Sequence, residues 1–101
     1  MTIATIAIDE YVLDSLMRDL VAHDKRPSAF LVYLHLYRRT IGETRPSVHQ
    51  SHQQIADATG LSKSAVQAAI GLLARRRLIQ ARRSSPTTTP EYFVHRPWRD
   101  R

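Results

Sequence analysis

The chain has 101 residues, which is the size of one domain. Hydrophobic residues make up 43% and charged residues 24%, a globular balance rather than a disordered one. There is no cysteine, which excludes a disulfide framework and thiolate chemistry, and the formal net charge is +6.

That charge is unevenly distributed. Residues 1–44 carry a net −1 and residues 45–101 a net +7, so a polyanionic partner is expected to meet the second half. Thirteen of the cationic residues are arginine, which favours forked contacts to phosphate or base edges. The opening "MTIATIAIDEYVL" lacks a basic segment and soon meets Asp9 and Glu10, so it does not read as a signal peptide. No apolar run reaches the roughly 20 residues of a membrane helix. The expectation is a cytoplasmic protein with no membrane partner.

In chain order, Asp9 is expected to cap a first helix running to about His23. Leu13, Leu16, Met17, Leu20 and Val21 would form its buried stripe. "HDKRPS" breaks that helix, and Pro27 suits the first turn of the next. "SAFLVYLHLYRRTIG" is apolar on most sides and should be central, with Gly42 as its stop. "ETRPSVHQS" reads as extended or loop, because Pro46 disfavours helix at Arg45. Ser51 can cap "HQQIADAT" with Gln54 at the capping-box position, and Ser62 can cap "KSAVQAAIGLLARR". "LIQARR" and "EYFVHR" read as two strands joined by "SSPTTTP". The predicted fold class is mainly α with a small β-hairpin: about four helices and a C-terminal two-stranded element.

"QQIADATGLSKSAVQAAIGLL" has the residues a helix-turn-helix requires. Ala56 is small where a second helix must cross, and Gly60 can adopt the left-handed turn. Leu61 can plug the angle, and Val66 and Ile70 can pack back on Ile55. Two helices joined by a short glycine-containing turn are the DNA-binding geometry, although a helical corner can share it. With the hairpin, "HQQIADATGLSKSAVQAAIGLLARRRLI" resembles the winged helix-turn-helix superfamily, in its bacterial transcription-regulator and replication-initiator branch. The resemblance covers residues 27–96 and is most specific over 51–79. It implies a recognition helix, 62–76, in the major groove and a wing, 78–96, on the backbone or minor groove. Many relatives have glycine just before the closing Leu-Ile, where this chain has Arg77. An arginine entering that turn is strained. The expected organisation is one domain: residues 1–26 as a possible dimerisation element, the core 27–96 and a basic tail 97–101.

On a helical wheel, Val66, Ala69, Ile70, Leu73 and Arg77 share the core side. Ser64, Gln67, Ala68, Gly71 and Arg75 share the opposite side, with Lys63 at its edge. Gln67 can pair with adenine, Ser64 with several bases and Ala68 with a thymine methyl, while Lys63 suits phosphate. Gly71 serves either close helix packing or close approach to DNA. Arg82 and Arg83 point to opposite faces of a strand, so at most one faces DNA from a given side. Gln53 sits at a helix start that would cross the DNA backbone. The expected DNA-binding set is therefore Gln53, Lys63, Ser64, Gln67, Ala68, Gly71, Arg75, Arg82 and Arg83. Thr87, Thr88 and Thr89 offer hydroxyls at the hairpin tip, or form a plain loop. Trp98, among Arg96, Arg99 and Arg101, either stacks on a base or caps the core.

No catalytic constellation or phosphate loop is present, and His49 and His52 lack further ligands, so neither enzyme activity nor a metal or other cofactor is expected. The functional expectation is sequence-specific binding of double-stranded DNA by a transcription regulator. Its first helix, with "TIATIAI" ahead of it, would support a homodimer. The alternative is a winged-helix protein-interaction or replication-initiation adaptor. RNA ranks last, because the aromatic residues fall in apolar stripes rather than on a stacking surface.

Overall fold

The computed structural model describes residues 2–99; Arg101, and with it the end of the basic tail, lies outside the described residues. The architecture is mainly helical with a small three-stranded antiparallel sheet. Helix α1 (Pro27–Arg39) opens on Pro27, whose missing N–H costs nothing in a first turn. It buries Ala29, Phe30, Val32, Tyr33, Leu36 and Tyr37, and runs through the centre of the core. The other helices, α2 (His52–Thr59) and α3 (Lys63–Arg75), pack on it and on each other.

Both caps of the second and third helices form as the sequence implies. The Ser51 hydroxyl accepts from the Gln54 N–H at 3.1 Å and the Gln54 side chain accepts from the Ser51 N–H at 2.8 Å, a reciprocal capping box. The Ser62 hydroxyl accepts from the Ala65 N–H at 3.1 Å. Gly60, at φ 79°, closes α2 in the left-handed region, so only three residues separate the helices. Ile55, Ala56, Val66, Ala69 and Leu73 are buried at their junction, with Leu61 and Ile70 packed beside them.

The sheet has the order β1-β3-β2, with β1 Val48–His49, β2 Ile79–Arg82 and β3 Glu91–Val94. Strand β1 corrects the expected two-stranded element. It pairs Val48 with Tyr92 and His49 with Glu91, and two residues are too few to show an alternating pattern. In the hairpin Ile79 faces Val94 and Ala81 faces Tyr92; Ile79, Tyr92 and Val94 pack on the core, while Ala81 stays exposed. Gln80 faces Phe93 and Arg82 faces Glu91 on the other side.

The exit from α3 explains the sharp reversal into β2. Arg77 sits at φ 57°; its N–H donates to the Ala74 carbonyl at 3.0 Å, and the Leu78 N–H donates to Leu73 at 2.9 Å. This is a Schellman closure, with Leu78 buried behind it. Arg77 therefore lies past the helix end and is exposed, not on the core side where the wheel placed it. The strain expected of a non-glycine residue is present.

Two further expectations change. Helix α1 ends at Arg39, before Gly42: Thr40 is buried, its hydroxyl donating to the Leu36 carbonyl at 2.8 Å, and the left-handed residue is Thr44 at φ 53°. Glu43 sits within 3.5 Å of each of Arg38, Arg39 and Arg45, and so holds this turn. The N-terminal helical segment, over Val12–Leu16 and Asp19–His23, is widely wound: the Met17 N–H donates to Val12 and the Asp24 N–H to Asp19, five residues back. Wider winding brings a spacing of four close to one turn. Val12, Leu16 and Leu20 therefore line up against the core, while Leu13, Met17 and Val21 form a second line facing solvent, each at least 37% exposed.

Asp9 is not this segment's side-chain cap. Its carboxylate accepts from Trp98 Nε1 at 2.9 Å and from Arg99 at 2.8 and 2.9 Å, with Arg96 at 3.6 Å. Trp98 stacks on Tyr11 with ring centroids 4.7 Å apart, so it packs against the fold and holds the two ends of the domain together. A radius of gyration of 13.4 Å matches the roughly 13 Å of one compact body, so the first segment is no projecting arm. No described helix is long and apolar enough to cross a membrane.

Two outcomes are expected in urea denaturation. Arg77→Gly stabilises the protein by about 1 kcal/mol, because glycine enters the left-handed turn without strain; an unchanged midpoint would show the turn unstrained. Asp9→Asn costs about 1 kcal/mol and shifts the fluorescence of Trp98, the single tryptophan. The hydrogen bonds from Arg99, chiefly, hold the Asp9 carboxyl below its ordinary value of 3.8. The wild-type stabilisation is thus present above that value and is lost as pH falls through the lower folded-state one. The difference between wild type and Asp9→Asn should vanish in acid.

Candidate nucleic-acid interface

Cations among the described residues fall into two sets. Arg38, Arg39 and Arg45 meet Glu43, Arg76 meets Asp24 at 2.9 Å, and Arg96 and Arg99 meet Asp9. Lys63, Arg75, Arg82 and Arg83 have no carboxylate within 4.0 Å among the described residues. The same holds for Arg77 at the α3 exit and for Arg18, Lys25 and Arg26 of the N-terminal region. Of these eight unneutralised cations, five lie on α3, its exit and the hairpin, and three in the N-terminal region.

Residues expected to touch DNA are distributed as follows. Lys63, Ser64 and Gln67 are exposed on the first turns of α3; Ala68 and Gly71 are half-buried; Arg75 is exposed in the last turn. The Ser64 hydroxyl lies 3.2 Å from the Ser62 cap hydroxyl. Gly71 has no neighbouring element against it: a Cβ added there would meet only the Arg75 guanidinium, at 3.5 Å, which folds back along the helix. Close helix packing is therefore not the reason for this glycine. Gln53 is exposed, and its amide donates to Asp57 at 2.9 Å.

Arg82 and Arg83 separate, as alternation requires. Arg82 lies over the Phe93 ring, 5.1 Å from its centroid, on the sheet face turned away from α3. Arg83 turns the other way and lines an open cleft of about 370 Å³ between the start of α2, the start of α3 and the hairpin tip. Its guanidinium is steadied by donating to the Pro86 carbonyl at 3.1 Å. Gln53, Lys63 and Gln67 share that cleft, so the fold brings four of the expected residues together. Ser64, Ala68, Gly71 and Arg75 continue along α3, and Arg82 stands apart.

The hairpin tip is a closed turn, not a row of free hydroxyls. The Thr88 hydroxyl accepts from the Ser85 N–H at 3.1 Å and donates to the Ser85 carbonyl at 2.9 Å. Thr87 and Thr89 also line the cleft, with Thr87 3.1 Å from the Ser85 hydroxyl.

His52, the first residue of α2, also lines the cleft, and no expectation from sequence had placed it there. Burial, and then the nearby charges of Arg83 and Lys63, push its pKa below the ordinary 6.5. Its neighbours Lys63 and Arg83 are 11 and 31 residues away in sequence, so only the folded hairpin reveals the cluster. Tyr92, behind Arg83 in the sheet, has its pKa raised by burial and is an interior group. Among the described residues no group of three His, Asp or Glu side chains is placed to hold a metal ion.

Comparison of the chain with family models, with curated proteins and with solved structures finds no match. Function must be argued from the site itself.

Gly71→Ala is expected to raise stability by about 0.5–1 kcal/mol, since alanine is the better helix residue and the only neighbour is a flexible guanidinium. Thermal unfolding reads this directly; a drop in the midpoint would show that the site is closely packed after all.

Proposed function

We propose that this chain is a winged helix-turn-helix protein that binds double-stranded DNA with sequence preference, and that it acts as a transcription regulator rather than an enzyme. The observation that carries the reading is the placement of unneutralised cations. Lys63 and Arg83 flank the small, polar face of α3 beside a cleft that no carboxylate lines, whereas Arg38, Arg39, Arg45, Arg76, Arg96 and Arg99 are answered by carboxylates. A cleft lined by no acidic side chain suits a phosphate backbone. Helix α3 supplies the major-groove surface: Gln67 and Ser64 reach base edges, and Ala68 and Gly71 keep the helix thin enough to sit deep. The β2–β3 hairpin is the wing, and Arg83, not Arg82, is its inward phosphate contact. β1 serves as the third strand that anchors the wing to the body.

A homodimer fits the same reading. Ile6, Ile8, Tyr11, Leu13, Met17 and Val21 are each at least 37% exposed along one short stretch of chain, more apolar surface than a small monomer usually leaves in water. Two copies joined there would present two recognition helices to two half-sites. This strip also favours the second reading, an adaptor that uses the fold to bind another protein.

Titration of a labelled random-sequence duplex by fluorescence anisotropy should give binding that weakens steeply as salt rises. Arg83→Ala should weaken all sequences alike and lower the salt slope by about one phosphate; Arg82→Ala should do less. Gln67→Ala should cost about 1–3 kcal/mol on the preferred site and little elsewhere. Absence of duplex binding at low salt sinks the proposal and leaves the adaptor. Light scattering at micromolar concentration should give twice the 11.6 kDa of one chain, and Met17→Glu should return it to one; a monomeric wild type removes the dimer.

A further inference from the structure

We infer that the cleft between α2, α3 and the hairpin tip is a proton-coupled seat for one DNA backbone phosphate, in which His52 becomes protonated as the phosphate enters between Lys63 and Arg83. The inference rests on the DNA-binding reading above and adds a chemical role and a regulator, pH, to one part of that surface.

Three features build the seat. The cleft is lined by His52, Lys63 and Arg83, by Ser51, Thr87 and Thr89, and by no carboxylate. The three other clefts described each include an acidic residue: Glu43, Glu91 or Asp19. The two cations and the His52 ring come from three separate elements, so a bound anion would bridge the two helix starts and the wing. Arg83 is held in place by the Pro86 carbonyl, which limits what it loses on binding.

The ionisable groups acting on His52 are Arg83 from the hairpin and Lys63 from α3, both positive. On the neighbouring strands His49 and Glu91 face each other at 3.9 Å, and on α2 Asp57 is engaged by Gln53. No anion therefore offsets the two cations, and burial adds to them, so the ring stays neutral until more acid than an ordinary histidine needs. A phosphate placed among the three reverses that balance. It screens Lys63 and Arg83 from the ring and offers the imidazolium an acceptor. The pKa of His52 must then be higher in the complex than in the free protein, and by linkage binding takes up a proton. Affinity rises as pH falls through the interval between the two values, with a slope of no more than about ten-fold per pH unit for one proton.

The test measures duplex affinity for the full chain from pH 5.5 to 8.0 at constant ionic strength, with the His52 ring followed by NMR in the free and duplex-bound protein. Wild type should bind several-fold tighter at the acid end, the His52 midpoint should rise on adding duplex, and His52→Gln should flatten the pH profile. Inorganic phosphate at the same ionic strength should leave the midpoint near its free value; if it moves the midpoint as far as the duplex does, the seat takes free phosphate and its assignment to DNA is overturned. Duplex binding that is independent of pH, an unmoved His52 midpoint, or a His52→Gln profile as steep as wild type overturns the inference and leaves DNA binding standing. No duplex binding at any pH overturns both.

Discussion

The left-handed turn at Arg77 decides where the charges of this domain end up. Without it, α3 would run on and its arginines would scatter around a helix. With it, Arg75 ends α3 over Gly71, Arg76 returns to Asp24 in the N-terminal region, and the chain reverses into β2. Six residues beyond the turn, Arg83 then faces the start of the helix from which the chain has just emerged. The strain at Arg77 is offset by the two backbone hydrogen bonds of the closure and by burial of Leu78.

Around that turn the structure divides into a part that holds and a part that is offered. Helix α1 holds: the Tyr33 hydroxyl donates to the His95 carbonyl at 2.8 Å, the Tyr37 hydroxyl accepts from the Asp9 N–H at 3.2 Å, and its apolar face carries α3. The Asp9, Trp98 and Arg99 cluster ties the ends of the domain together and uses up tail charge that would otherwise look available to a polyanion. What is offered is the outer face of α3, the cleft beside it and the apolar line along the N-terminal segment. The first two are polar and basic, and the last is apolar.

Much of this was legible in the sequence because it depends on local chemistry. The Ser51, Gln54, Gly60 and Ser62 pattern specifies two caps and a turn within twelve residues, and each forms as those residues require. Long-range effects were not legible. The stripe expected on the first helix assumed 3.6 residues per turn, and the wider winding placed Val12 inside and sent Leu13, Met17 and Val21 outward. β1 has only two residues, and its pairing is specified by β3, more than forty residues on. Gly42 looked like a stop, yet α1 ends at the buried Thr40, where the Glu43 ion pairs shape the turn. His52 looked like half of a poor metal site until the hairpin brought Arg83 beside it.

The central claim is that α3 reads the sequence of a DNA duplex. Selection of bound sequences from a random duplex pool tests it most directly. The account predicts enrichment of one motif, repeated with two-fold symmetry about one helical turn apart if the N-terminal segments pair, and loss of that motif when the selection is run with Gln67→Ala. A pool that emerges as random as it entered, from protein shown to be folded, would contradict it.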